Sequence, residues 1–221
     1  MSSFFKTSIG KKVIMSVTGL FLIVFLLVHL TLNLMVLVDE DGSTFNEAAH
    51  FMGTNPIMKV MEIVLAAGFI FHILYATILT LKNRAARPVK YESGNNSEST
   101  WSSQNMFITG AAIVSFLVLH IINYFYKIKF TDLIDSGQMT EYDLVKGIFQ
   151  PEFWYFSAIY IVAFILLGLH LFHSFQSSFQ TLGLNNSNWL PRLKFLGALY
   201  ALVIAVGFSI IPVYFLMKAL I

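Results

Sequence analysis

Five of the six histidines, His29, His72, His120, His170 and His173, lie inside apolar runs that hold almost no other ionisable residue. His50 lies in a polar connection. A neutral imidazole can ligate a metal, pass a proton or hydrogen-bond a neighbouring helix. Placing one in a lipid interior is costly, so each of the five is a functional candidate. Proton relays recruit Asp or Glu within the spans; here Glu62, near one mouth, is the nearest such group. A zinc site would need its ligands converging at one level. The absence of Cys excludes disulfides, thiolate-ligated iron–sulfur clusters, c-type haem attachment and Cys-rich zinc sites.

The elements that must position these histidines follow from composition. Of 221 residues, 57% are hydrophobic and only 12% charged, about half the charge of an ordinary soluble domain. A soluble core could not hide that apolar surface, so part of the solvent must be lipid. Net charge is +2, which gives no footprint for nucleic acid. Five runs are long enough to cross a hydrocarbon core of about 30 Å as helices: 13–38, 57–81, 106–126, 153–175 and 195–217. Continuous apolar runs exclude the alternation of a barrel. The expectation is an all-α integral membrane protein, one membrane domain over 1–221, with the first four helices forming the bundle that binds the ligand. The first run is too long for a signal peptide and reads as a retained helix. Beyond the rhythm of the spans, no internal repeat is expected.

Charge sets an orientation. With the N-terminus cytoplasmic, the inner segments carry Lys6, Lys11, Lys12, Lys82, Arg84, Arg87, Lys90, Arg192 and Lys194, against only Glu92 and Glu98. The other side holds the remaining five Lys and ten acids; the excess of Lys and Arg within fits the positive-inside rule, and the C-terminus is then outside.

On that orientation His29 and His120 sit toward the outer face, and His72 and His170 toward the inner one. His29 and His72 are each nine residues from a span end, so roughly 14 Å deep from opposite faces. Two pairs at two levels suit two bis-histidine haems of the b type, which need no Cys and favour electron transfer. His173, three residues after His170, shares its helix face and competes with it.

The chain resembles the membrane cytochrome b subunit of succinate:quinone oxidoreductases (succinate dehydrogenase and fumarate reductase). More narrowly it is similar to the five-helix, di-haem cytochrome b558 family. The residues carrying the likeness are Ser16-Val17-Thr18-Gly19-Leu20 before His29, then His72, His120, and the run Gly168-Leu169-His170-Leu171-Phe172-His173-Ser174-Phe175-Gln176, continuing to Phe179-Gln180-Thr181-Leu182-Gly183. The resemblance implies that His29 pairs with His120 on an outer haem and His72 with His170 on an inner one. It selects His170 over His173 because the family's ligand stands four positions before the small residue, here Ser174. It further implies a bacterial cytoplasmic membrane, a quinone (menaquinone for the di-haem type), and two cytoplasmic partners, a flavoprotein with covalent FAD and an iron–sulfur protein.

Quinone chemistry needs a proton donor. The outer candidates are Glu62, Glu47 and His50, with Glu62 favoured by position and a pair with Lys59 as its structural alternative. Candidates for haem propionate contact are His173, Ser16 and Trp101, the last two reading equally as helix packing and an interfacial anchor. Pro212 is a kink candidate. The fifth run carries no His and is expected to flank the bundle. Competing readings are a cytochrome b of a hydrogenase or formate dehydrogenase, and a haem-free transporter.

Overall fold

The computed structural model describes residues 7–85, 105–184 and 186–220. Every regular element among them is helical. The helices are α1 (Ser8–Leu34), α2 (Ser43–Thr54), α3 (Pro56–Ala85), α4 (Met106–His120), α5 (Tyr126–Phe130), α6 (Glu141–Ile148), α7 (Trp154–Thr181) and α8 (Trp189–Lys218). A π-turn, Ile121–Phe125, joins α4 to α5 without a break. Five spans are long and apolar enough to cross a membrane: Ser8–Leu37, Pro56–Ala85, Met106–Phe130, Pro151–Thr181 and Trp189–Lys218. The protein is an all-α, multi-pass membrane protein.

The spans outrun the apolar runs that reveal them. α3 continues through Lys82 and Arg84, and α8 begins at Trp189, before Arg192 and Lys194. Hydrogen bonding carries a helix past the hydrocarbon into the interface, where basic and aromatic side chains are at ease.

Packing sets the layout. α1 packs against α3, α7 and α8, while α4 packs against α7 and sparsely against α3. The first four spans therefore form a ring in which α1 lies opposite α4, and α3 opposite α7. α8 sits outside this ring against α7 and α1. Small residues permit the close approach, because lipid offers little hydrophobic drive and van der Waals fit must serve. A Cβ on Gly168 would come 3.0 Å from Ala205 Cβ, and one on Gly207 would come 2.8 Å from Leu30 Cδ2. α3 buries none of its residues, which suits a helix bathed in acyl chains.

Tyr200 Oη donates to the Ile23 carbonyl at 2.6 Å, tying α8 to α1 in mid-span. Tyr200→Phe removes only this bond, and a cost of about 1 kcal/mol is expected. Unfolding of the purified protein in mixed micelles would measure it.

The ring is closed at the end remote from the N-terminus. The connections there, readable from sequence only as polar links, carry α2 and α6. Asp39 Oδ2 accepts from Thr44 N at 3.0 Å and Ser43 Oγ at 3.2 Å, starting α2. These bonds, Thr44 first, hold the Asp39 carboxyl below its usual range. α6 starts at a capping box in which Thr140 and Asp143 satisfy each other's backbone. From it Tyr142 lies over Gly42, its backbone N–H donating to Asn46 Oδ1 at 2.9 Å and its hydroxyl to the Glu40 carbonyl at 3.2 Å. Tyr142, Leu144, Val145, Ile148 and Phe149 are buried, so α6 plugs the bundle.

Candidate metal centre in the helix bundle

His29 on α1 and His120 on α4 come from opposite corners of the ring. Their ring centroids are 5.8 Å apart and the planes are perpendicular, at 89°. Two imidazoles on one metal, each with an N–metal bond of about 2 Å, would hold their centroids roughly 6 Å apart. Aromatic side chains wall the pair: Phe25 stacks on His29 at 5.2 Å, and Tyr124 lies 5.2 Å and Phe116 5.8 Å from His120. Asn33 Nδ2 donates to the His29 carbonyl at 2.8 Å and lies 3.3 Å from its Nδ1. His120 Nδ1 is sealed from solvent with no hydrogen-bond partner among the described residues.

The π-turn begins directly after His120. Such turns add a residue to the helix and re-aim the side chains that follow, often beside functional groups. Here the buried Asn123 donates to Tyr160 Oη at 3.0 Å, fixing a tyrosine ring 6.2 Å from His120.

A second level is built from His72 on α3 and His170 on α7, the other two corners. Thr18 Oγ1 of α1 is 3.1 Å from His72 Nδ1, and Thr109 Oγ1 of α4 is 3.3 Å from His170 Nδ1. Thr18 precedes His29 by eleven residues, and Thr109 precedes His120 by the same eleven, about 16 Å along each helix. The two histidine levels are therefore separated by about that distance. His170 is the fourth-span histidine in contact with Thr109; His173, one turn on, is half-buried and takes part in neither threonine contact.

The remaining candidates are placed differently. Glu62 pairs with Lys129 at 3.1 Å, bridging α3 to α5, so its ion-pair partner is on another span and is not Lys59. The partner comes from the neighbouring span of the ring, where the sequence offered only the neighbour on the same helix. Glu47 and His50 are exposed residues of α2. Glu47 lines an open groove of about 580 Å³ between α1, α2 and α3, with Val28, Leu32, Phe51, Met52 and Met58. Ser16 is buried, and its hydroxyl donates to the Lys12 carbonyl at 3.0 Å, a helix-packing role. Trp101 lies outside the described residues.

Two features are not apparent from the spans alone. The fifth span flanks the ring, yet its Phe208 reaches in to 5.6 Å from the His29 ring. The first and third spans also share a repeat, Thr-Gly followed by His at one spacing: Thr18-Gly19 with His29, and Thr109-Gly110 with His120. This corrects the expectation of no internal repeat. It could have been found by aligning the first and third spans on their histidines.

Among the described residues no group of three or more His, Cys, Asp or Glu converges to hold a metal ion. No family model, curated protein or solved structure matches this chain.

Proposed function

We propose that this chain is the membrane-anchoring, di-haem cytochrome b subunit of a succinate:quinone oxidoreductase, a succinate dehydrogenase or fumarate reductase. The observation that carries the proposal is the perpendicular His29–His120 pair at 5.8 Å in the middle of the ring. Two imidazoles 5.8 Å apart inside an aromatic wall suit a metal that brings its other ligands with it, as a porphyrin does. His29 and His120 would hold one haem b, and His72 and His170 the other. Bound there, the haems would supply one-electron transfer between a soluble iron–sulfur partner and a membrane quinone. Phe25, Phe116, Tyr124 and Phe208 exclude water from the first pair and pack flat apolar surface. The fourth-span run from Gly168 to Gly183 favours the succinate and fumarate family over hydrogenase-type cytochromes.

The charge asymmetry of the sequence supports a cytoplasmic N-terminus, and the resemblance supports a bacterial cytoplasmic membrane with the FAD flavoprotein and the iron–sulfur protein on that side. His72 and His170 then form the inner pair, and His29 and His120 the outer. The groove beside Glu47 is the favoured quinone site. It has the volume of a small-molecule pocket, its walls are apolar, and Val28 in its lining is next to His29. Glu47 is the carboxylate there that can take or give a proton, whereas Glu62 is engaged by Lys129. Glu47→Gln is expected to slow quinone turnover ~100-fold or more, the usual worth of a general acid or base. Haem reduction from the succinate side should be unchanged in the same variant, which stopped-flow spectroscopy would separate from turnover.

Purification of the tagged chain from its native membranes in mild detergent tests the assignment. The expected result is co-purification of a covalent-flavin subunit and an iron–sulfur subunit, with succinate-driven quinone reduction. Nickel- or molybdenum-containing partners would overturn it.

A further inference from the structure

We infer that Thr18 and Thr109 are positioning residues that fix the tautomer and orientation of His72 and His170; the inference rests on the di-haem reading above. A threonine hydroxyl has one hydrogen to give. Thr18 Oγ1 gives it to its own helix, 3.0 Å from the Ile14 carbonyl and 3.1 Å from that of Met15. With that hydrogen on its own helix the hydroxyl offers His72 Nδ1 only a lone pair, so in the arrangement we infer the imidazole donates across the 3.1 Å contact. Thr109 does the same, 3.1 Å from the Met106 carbonyl and 3.2 Å from that of Asn105, with His170 Nδ1 at 3.3 Å. In both rings the proton then sits on Nδ1 and the lone pair on Nε2, the form that ligates a metal.

The glycine after each threonine lies beside the same imidazole, at a distance where even a Cβ would make only ordinary van der Waals contact. A Cβ built on Gly19 would meet His72 Cε1 at 3.7 Å, and one on Gly110 would meet His170 Cε1 at 3.5 Å. Each imidazole edge therefore lies against the bare backbone of the partner helix. α1 with α3, and α4 with α7, are two copies of one unit: an outward helix presents Thr-Gly to a histidine on the returning helix and carries its own histidine eleven residues later. The threonine contact is particular to this level: at the other, His29 Nδ1 lies 3.3 Å from Asn33 Nδ2 and His120 Nδ1 has no partner among the described residues.

Such outer-shell bonds set imidazole basicity and ring orientation, and losing one typically costs 10- to 100-fold in metal affinity. Thr18→Val and Thr109→Val keep the side-chain shape and delete the hydroxyl. Each is expected to weaken retention of the His72–His170 haem ~10- to 100-fold, measured by haem loss to a high-affinity apo-acceptor. The midpoint potential of that haem should rise, since a less basic imidazole favours the ferric state less. The His29–His120 haem should keep its spectrum and potential, which also reports an intact fold. Thr18→Ser should restore both properties. If both haems are lost in the Val variants, a Ser variant that keeps them supports the inference, and one that loses them overturns it. Wild-type chain with two haems whose retention and potentials are untouched by Thr→Val overturns the positioning role and leaves the di-haem reading intact. Wild-type chain without haem overturns the di-haem reading itself.

Discussion

His29→Ala and His120→Ala are each expected to lower haem from two per chain to one, and to erase the same spectral component. The two side chains come from spans on opposite sides of the ring, ninety-one residues apart, and meet at 5.8 Å. Removing either leaves one imidazole where the proposal needs two. The cavity left in an aromatic wall offers no substitute, since its other members are Phe25, Phe116, Tyr124, Tyr160 and Phe208. A five-coordinate haem held by the remaining histidine would show a high-spin spectrum and dissociate readily. His72→Ala and His170→Ala should erase the other component. Difference spectra with potentiometric titration of the four variants check the pairing. Loss of different components from His29→Ala and His120→Ala would break it. A His170→Ala protein that keeps both haems, beside a His173→Ala protein that loses one, would move the fourth ligand to His173.

Gly42→Ala is expected to be the most damaging small substitution outside the histidines. Gly42 has φ +72°, a left-handed backbone that costs an L-residue about 1–2 kcal/mol. An added Cβ would also stand 2.1 Å from Tyr142 Cγ. That contact cannot be relieved by rotating a flexible end, because it falls on the ring and its root. Tyr142 is 3% exposed and fixed by two hydrogen bonds, so it must leave its slot. Displacing a buried aromatic costs roughly 3–5 kcal/mol when it is lost entirely. The expected total is therefore at least about 3 kcal/mol, read as a lower unfolding midpoint in detergent. Gly53→Ala is the control. It lies in α2 with nothing within 4 Å of its added Cβ and should be neutral or mildly stabilising. Equal behaviour of the two variants would mean that the α2–α6 plug contributes little to holding the far end of the bundle.

The spans were legible because lipid leaves one option to a long apolar run: a continuous helix that satisfies its own backbone. Their ends were less so. Residues such as Lys82, Arg84, Arg192 and Lys194 look like loop by charge, yet interfacial turns remain helical. α2 and α6 were hidden for another reason. They are 12 and 8 residues long, too short to be stable alone. They depend on the Asp39 and Thr140 caps and on Tyr142 docking over Gly42. The depth of each histidine could be counted from the span ends, since a helix converts residue number to height. Its surroundings could not be counted. Nothing in the sequence marks Phe208 among 22 phenylalanines as one that reaches His29 from another span. The Thr-Gly repeat is written plainly in the first and third spans, but its meaning lies in histidines 54 and 61 residues away. Glu62 shows the same limit: the helical neighbour Lys59 was visible, and the cross-span partner Lys129 was not.

The central claim is that this bundle holds two haems between its four corner helices. The most direct test is a dithionite-reduced minus oxidised visible spectrum of the detergent-purified chain, with haem quantified per polypeptide by the pyridine haemochrome. Two low-spin b-type haems per chain are predicted. A well-folded, monodisperse preparation from haem-replete cells that contains no haem would contradict the account and turn the paired histidines over to a different chemistry.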